Sequence, residues 1–312
     1  MKEAGIPTAK ATVFDASDWE QLQTYILNHA LPVVIKADGL AAGKGVAVCS
    51  SHQEALDFSR SVLMDKVFGE TNQSLLVEEF LDGIEVSMFT LSDGVHYQLL
   101  PEAKDYKRIF DQDMGPNTGG MGSVSPVWFV DEVFVEKVKS RIINPLFNTL
   151  NSKGLSYKGF LFIGIMKVGN DPFVVEFNVR MGDPETQTVL ARIHGDLVPA
   201  LMSISHQNLD QFPLTFDKEA ATTIVLCAEN YPDTPIKGDE IVLSKQVEGQ
   251  IFHAGTKRKG EKIWSNGGRV ISCTATGYNL KTASERAYRL VKNVKFRGMQ
   301  YRTDIGLDVM AS

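Results

Sequence analysis

The sequence predicts an α+β protein whose strands pair antiparallel. Three observations carry this. Apolar, β-branched runs follow one another across short turns, as in "GFLFIGIMKV" and "PFVVEFNV" around "GND". The glycine-rich stretch "VIKADGLAAGKGVAV", residues 34 to 48, runs from one such strand into another rather than into a helix. Helical stretches are set apart from these pairs by their own start signals. Strands joined by short turns cannot be neighbours in a parallel sheet, whose crossovers need a dozen or more residues, so a doubly wound parallel fold is excluded.

In chain order, Ser17 and Glu20 have capping-box spacing and open the helix "SDWEQLQTYILNHA". "PVVIKADG" and "GVAVCS" flank the glycine loop as strands. Ser51 and Glu54 open "SHQEALDFSRSVLM" in the same way. "SLLVEEF" and "IEVSMFTL" lie on either side of Leu81, Asp82 and Gly83, and "SDG" at 92–94 turns into "VHYQLLP". Residues 131–152 read as a helix that Pro145 kinks or divides. After "HQNLDQFPLTFDKEA" come short strands with glycine turns and one helix, which Thr282 and Glu285 open. The expected division is 1–80, a small lobe with the glycine hairpin; 81–215, a larger lobe; and 216–312, a β-rich C-terminal domain.

At 312 residues, 43% hydrophobic and 22% charged, the composition is that of an ordinary globular chain. A net charge of -6 argues against general nucleic-acid binding. Cys49, Cys227 and Cys273 stand apart with no C-x-x-C, which predicts reduced thiols. No apolar run reaches membrane-spanning length and "MKEAGIPTAKAT" has no signal-type apolar core, so a cytoplasmic location is expected.

The glycine loop fits neither familiar phosphate design. A P-loop needs G-x-x-x-x-G-K-[ST]; here three residues separate Gly39 from Gly43, and Gly45 follows Lys44. A dinucleotide fingerprint needs a third glycine where Val48 stands. What remains is a hairpin laid over phosphates, with Lys36 and Lys44 as its cations. A lysine inside an apolar strand is costly unless an anion meets it; the alternative for Lys36 is a strand end reaching solvent.

In "VVEFNVRMGDPETQ", residues 174–187, alternation puts Glu176, Asn178 and Arg180 on one strand face and Val175, Phe177 and Val179 on the other, towards the core. A carboxylate and an amide oxygen suit magnesium, and the guanidinium suits a phosphate; a surface Glu–Arg pair is the alternative. Asp183 before Pro184 reads as a helix N-cap. In "LLVEEFLDGIEVS", residues 78–81 and Glu85 offer a backbone edge for adenine and a carboxylate for ribose, or else a solvated strand end. Residues 102–126 form a charged, then glycine-rich stretch in which Asn117, Thr118, Gly119 and Gly120 can turn backbone amides towards an anion, with plain flexibility as the alternative. His253 has no assigned role, and no Ser-His-Asp or Cys-His set is present.

"VIKADGLAAGKGV", "VEEFLDG", "GPNTGGMG", "GFLFIGIM", "VVEFNVRMGDPETQ", "FHAGTK" and "NGGRV" occur in an order and at spacings that resemble the phosphoribosylamine–glycine ligases (glycinamide ribonucleotide synthetases), over essentially the whole chain. The resemblance implies an ATP-grasp fold, with two α+β lobes clamping ATP. It implies that Lys36 touches a phosphate and that Gly39, Gly43, Lys44 and Gly45 close over the triphosphate. It makes Glu78, Glu79, Phe80 and Leu81 the adenine hinge and Glu85 the ribose ligand. Glu176 and Asn178 resemble ligands of Mg2+ or Mn2+, Arg180 and Asp183 the catalytic pair handling phosphate and substrate, and Asn117 to Gly120 the acceptor loop.

The implied reaction is a step of de novo purine biosynthesis. ATP activates glycine as glycyl phosphate, and the amine of 5-phosphoribosylamine displaces phosphate. "MKEAGIPTAK" resembles interior text of the family, which implies an N-terminal domain of roughly a hundred residues, outside this sequence, that helps hold phosphoribosylamine. Such a domain as a separate partner, and a monomer otherwise, are the expectations. A ligase for another carboxylate–amine pair and a non-catalytic Mg-ATP-binding fragment are the alternatives.

Overall fold

The computed structural model describes residues 1–39, 41, 45–69, 74–244 and 248–310. Their contacts divide the chain into two units, Pro7–Ile84, and Met1–Ile6 with Glu85–Ser312.

The small unit contains β1 (Ala11–Asp15), α1 (Trp19–Leu27), β2 (Val33–Ala37), β3 (Val46–Cys49), α2 (His52–Leu63) and β4 (Ser74–Glu79). The strands form one antiparallel sheet in the order β1-β4-β2-β3. The period of two sends Val33, Ile35, Leu75 and Val77 to one face, where they bury Leu22 and Ile26 of α1 and Ala55, Val62 and Leu63 of α2. The glycine loop does join paired strands, with Lys36 opposite Val46. Gly43 and Lys44 lie outside the described residues.

The helix starts differ from expectation in detail. The Asp15 carboxylate accepts from the Ser17 amide at 2.7 Å, and Asp18 returns the bond to the Asp15 amide, so the box sits two residues earlier than Ser17. An aspartate at the strand end reaches the free amides first. Ser51 caps α2 as expected, accepting from the Glu54 amide at 3.2 Å.

The large unit begins with β5 (Ile84–Asp93), β6 (Tyr97–Asp105), β7 (Arg108–Phe110), β8 (Met114–Asn117) and β9 (Gly122–Ser125). Next come α3 (Glu132–Val138), α4 (Asn144–Ser152), β10 (Lys158–Val168), β11 (Asp171–Asn178), α5 (Glu185–Leu190), β12 (Ile193–His194), α6 (Val198–His206) and β13 (Thr215–Phe216). The rest comprises β14 (Ala220–Cys227), β15 (Glu240–Leu243), β16 (Gln250–His253), β17 (Thr256–Lys259), β18 (Lys262–Ser265), β19 (Arg269–Gly277), α7 (Leu280–Val291) and β20 (Val294–Lys295). An eight-stranded sheet runs β11-β10-β5-β6-β9-β14-β19-β16 and so takes strands from both sides of residue 215.

β4 and β5, on either side of Leu81-Asp82-Gly83, do not pair with each other; each joins a different sheet. Pro145 acts through its missing N–H: bonding widens into a π turn over Lys139–Ile143 before α4 begins. α7 is capped by Asn279, which accepts from the Thr282 amide at 2.9 Å, so Thr282 lies inside the helix it was expected to open.

All three cysteines are buried, and burial pushes their thiols up, Cys49 to about 11 and Cys227 and Cys273 to about 12. They are core side chains, not nucleophiles. Among the described residues no helix is long and apolar enough to cross a membrane.

Arg302, 2% exposed, ties the β7–β8 hairpin down. Its guanidinium donates to Asp113 at 2.6 Å and Asp304 at 2.8 Å, and lies over the Tyr106 ring. The charged stretch 102–117 is therefore held in place by the C-terminal segment.

Candidate active site

In the large unit β11 carries the expected edge. Asn178 Nδ2 donates to Glu176 Oε1 at 2.9 Å, and Arg180 lies 3.4 Å from the Asn178 amide oxygen. The three side chains do share a face. The opposite face is not uniformly buried. The register slips between Gly164 and Ile165, leaving Val175 as the extra residue of a bulge, and Val179 is 74% exposed. The strand ends at Asn178, so alternation no longer governs Val179.

Asp183 is not the helix cap. α5 begins at Glu185, behind Pro184, with no side-chain cap, and the Asp183 carboxylate instead meets Arg269 NH2 at 3.0 Å. Arg269 NH1 donates to the Asp183 carbonyl oxygen and to the Gly119 carbonyl oxygen, each at 2.6 Å. One guanidinium thus fastens the turn after β11 to the loop after β8.

That loop does not turn its amides outward. The Thr118 amide donates to Lys107 O at 2.8 Å, the Gly119 amide to the Tyr231 hydroxyl at 2.9 Å and the Gly120 amide to Thr118 Oγ1 at 3.0 Å. The nest expected at 117–120 is already satisfied from within. Of these residues Asn117 and Gly119 are exposed, and Gly120 is buried. Gly120 has φ +115, and a Cβ there would come 2.5 Å from Pro184 Cδ. Only a glycine lets the loop lie this close to the turn.

Glu85, the carboxylate singled out for ribose, is half-buried and paired with Lys107. Lys107 also lies 4.0 Å from Asp105 Oδ2. Burial alone would lower the Lys107 ammonium; Glu85, Asp105 and Glu176 outweigh it and hold the group above its ordinary value. Burial pushes the carboxyl of Asp105 well up, with nearby Glu185 adding to the effect, and burial raises Glu185 likewise.

In the small unit Lys36 meets an anion, as a lysine in an apolar strand must. Its Nζ is 2.6 Å from Glu78 Oε2, with side chains 20% and 10% exposed. The sheet register sets Glu78 diagonal to Lys36 on one face. Gly39 and Gly45 stand on either side of the hairpin tip, and the Ala37 amide donates to Gly45 O at 2.8 Å. The Glu79 carboxylate accepts from the Lys10 amide at 2.9 Å, Phe80 is 40% exposed, and Leu81 is half-buried.

Sequence reasoning passed over Asp105, Lys107, Glu185 and Arg269. The signal for the first two was a charged pair two residues apart at the end of an apolar strand. Arg269 gave only the basic residue after "NGG".

A model of the phosphoribosylglycinamide synthetase ATP-grasp (A) domain matches residues 1–186, and one of that synthetase's C domain matches residues 221–308. The chain belongs to the phosphoribosylglycinamide synthetase family. A curated phosphoribosylamine–glycine ligase of Leptospira interrogans is 43% identical over 310 residues, 98% of this chain and 72% of that protein. One from Chlorobaculum tepidum is 40% identical over 98% of this chain and 73% of its own length. The crystal structure of the Thermotoga maritima phosphoribosylamine–glycine ligase superposes with a TM-score of 0.90 at 37% identity, covering 98% of this chain and 76% of that one. The biotin carboxylase domain of a Hydrogenobacter thermophilus 2-oxoglutarate carboxylase, 14% identical, covers 96% of this chain and 65% of its own with a TM-score of 0.70, and shares the fold. The α+β ATP-grasp architecture expected from the sequence is the one observed.

Proposed function

We infer that this phosphoribosylglycinamide synthetase chain is an ATP-dependent carbon–nitrogen ligase that joins glycine to 5-phosphoribosylamine, giving glycinamide ribonucleotide, ADP and phosphate in purine biosynthesis. The observation that carries the reading is the match of both family domains in order along the chain, with curated ligases 43% identical over nearly all of it. ATP and a divalent cation are its cofactors.

The residues present fit the cation. Glu176 and Asn178 are neighbours, with Asn178 Nδ2 donating to Glu176 Oε1 at 2.9 Å; with the amide turned over, the carboxylate and the amide oxygen would hold Mg2+ or Mn2+ as a hard-oxygen pair. Among the described residues no three His, Cys, Asp or Glu side chains cluster as a metal cage. The cation supplies neutralisation of charge on the transferring phosphoryl group.

The remaining work is done by the chain's own groups. Lys36 and the loop from Gly39 through Gly43, Lys44 and Gly45 hold phosphates. Glu78 to Leu81 take the adenine, and Glu85 the ribose hydroxyls. Arg180 neutralises charge on the phosphoryl group. Asp183 and the loop Asn117 to Gly120 orient the acceptor. No covalent nucleophile is required: glycine's carboxylate attacks the γ-phosphate, and the acceptor amine attacks the resulting carbonyl. Positioning and charge neutralisation carry the catalysis.

We read the functional division as 1–80, 81–215 and 216–312, and the protein as a cytoplasmic monomer.

ADP release tests the reading. With Mg-ATP, glycine and phosphoribosylamine generated in place, release is expected to require both substrates and to fall at least about 100-fold in Glu176→Ala. Turnover with another amine and none with phosphoribosylamine would overturn it. So would Mg-ATP binding without glycine-dependent release.

A further inference from the structure

Glu85 can hold a ribose only if its carboxylate keeps one orientation. A half-exposed glutamate turns about several bonds unless something restrains it. Lys107, which has no role in the reading above, supplies the restraint. β5 and β6 pair Ser87 with Ala103, and Glu85 and Asp105 each stand two residues beyond that pair, on one face of the two strands. The Lys107 ammonium, from the segment after β6, donates to Glu85 Oε1 and lies 4.0 Å from Asp105 Oδ2.

The backbone that carries Lys107 is itself fastened. The Lys107 carbonyl accepts from the Thr118 amide at 2.8 Å and from Thr118 Oγ1 at 2.7 Å. At the preceding residue, the Tyr106 amide donates to Gly122 O at 3.1 Å and the Tyr106 carbonyl accepts from the Met121 amide at 2.7 Å. The ammonium thus reaches Glu85 from a fixed base. Two features show that the pair orients rather than stabilises. The side chains are 42% and 38% exposed, and an ion pair so open to solvent adds little to folding. Among the described residues Glu85 Oε1 is engaged by Lys107 and Oε2 has no partner, while the carboxylate is exposed enough to meet a ligand. With Oε1 held, the lone pairs of Oε2 point in set directions, as an acceptor for one particular hydroxyl requires.

We propose that Lys107 is the positioning residue for ribose recognition: it holds one oxygen of Glu85 so that the other accepts from a ribose hydroxyl, and the chain thereby selects ribonucleoside triphosphates over those lacking the hydroxyls. The proposal rests on Glu85 as the ribose ligand in the ligase reading above. Lys107 itself touches no substrate. Without its ammonium Glu85 keeps its charge but loses its orientation, so the ribose contact weakens and the adenine and phosphate contacts remain.

Calorimetric binding of ATP and of 2′,3′-dideoxy-ATP to the full chain, with Mg2+ present, tests this without turnover. The unsubstituted chain is expected to bind ATP about tenfold or more tighter, as for a hydrogen bond to a charged group. In Lys107→Met that ratio is expected to fall below about threefold, and Lys107→Arg, which keeps the cation, should retain most of it. Glu85→Gln should lose the ratio too, and adding Lys107→Met to it should change the ratio no further. The ratio is decisive because a loosened fold would weaken both nucleotides alike. A ratio unchanged in Lys107→Met, or a further loss in the double variant, would overturn the proposal alone. No preference for ATP in the unsubstituted chain, or a preference kept in Glu85→Gln, would overturn it together with the ribose reading of Glu85. Hydroxylamine traps glycyl phosphate as glycyl hydroxamate, and no glycyl hydroxamate from the unsubstituted chain would overturn the ligase reading itself.

Discussion

Arg269 holds Asp183 at two points, donating from NH1 to its carbonyl oxygen at 2.6 Å and from NH2 to its carboxylate at 3.0 Å. The same NH1 reaches Gly119 O, so one side chain from β19 joins two segments read as parts of the acceptor site. Replacing it leaves the phosphate-handling residues untouched. Arg269→Gln is expected to raise KM for phosphoribosylamine about tenfold or more, with glycyl hydroxamate formation changed less than threefold. Lysine cannot reproduce the planar fork, so Arg269→Lys should recover little, and added guanidinium should partly rescue Arg269→Ala. Steady-state kinetics with each substrate varied in turn decides this.

Lys36 and Glu78 form a nearly buried pair at 2.6 Å. Removing one partner strands the other's charge, whereas removing both does not. Lys36→Met is expected to destabilise the fold by about 2–3 kcal/mol, and Lys36→Met with Glu78→Gln by less than that single change. ATP affinity should fall in both. Denaturant unfolding and nucleotide titration measure the two effects, and simple additivity of the unfolding costs would count against the pairing.

Gly120 and Gly169 both have positive φ, +115 and +57, but differ in surroundings. An alanine Cβ at 120 meets Pro184 Cδ at 2.5 Å; at 169 it meets nothing within 4 Å. Gly169→Ala should therefore cost only about 1 kcal/mol of backbone strain. Gly120→Ala should cost more, roughly 2–4 kcal/mol, and raise KM for the acceptor. Thermal unfolding of the two variants side by side checks the ranking.

Asp93 is wholly buried in the β5–β6 turn. Burial alone would raise its carboxyl, but the amides of His96, Leu209 and Val95 outweigh it and hold the value down to about 2. A carboxyl lowered by folding stabilises the protein above its unfolded value, near 4, and loses that contribution as pH falls towards 2. The melting temperature should drop across this window. In Asp93→Asn the drop should be smaller, from a lower starting value at neutral pH.

The antiparallel strands and the glycine hairpin were legible because a period of two and short turns are local signals. Helix starts were legible only to within a few residues. Ser17, Thr282 and Asp183 all stand at plausible cap positions, yet Asp15 and Asn279 reach the free amides instead, and Arg269 claims Asp183. The side-chain face of β11 was readable from alternation as far as Asn178; the bulge at Val175 and the strand end left Val179 exposed. The inward turn of the amides at 118–120 was not legible, because they find partners in Lys107, Tyr231 and Thr118, and Tyr231 is 112 residues away in sequence. Asp105, Lys107, Glu185 and Arg269 were silent for the same reason: each is a common residue type whose meaning comes from neighbours brought together by folding.

The account's central claim is that the chain activates glycine through its carboxylate and then forms an amide. Glycine labelled with 18O in both carboxylate oxygens tests it most directly, with the released phosphate analysed by mass. The account predicts one 18O in each phosphate, one left in the amide, and label transfer only when ATP, glycine and phosphoribosylamine are all present. Phosphate free of 18O, formed alongside glycinamide ribonucleotide, would contradict it.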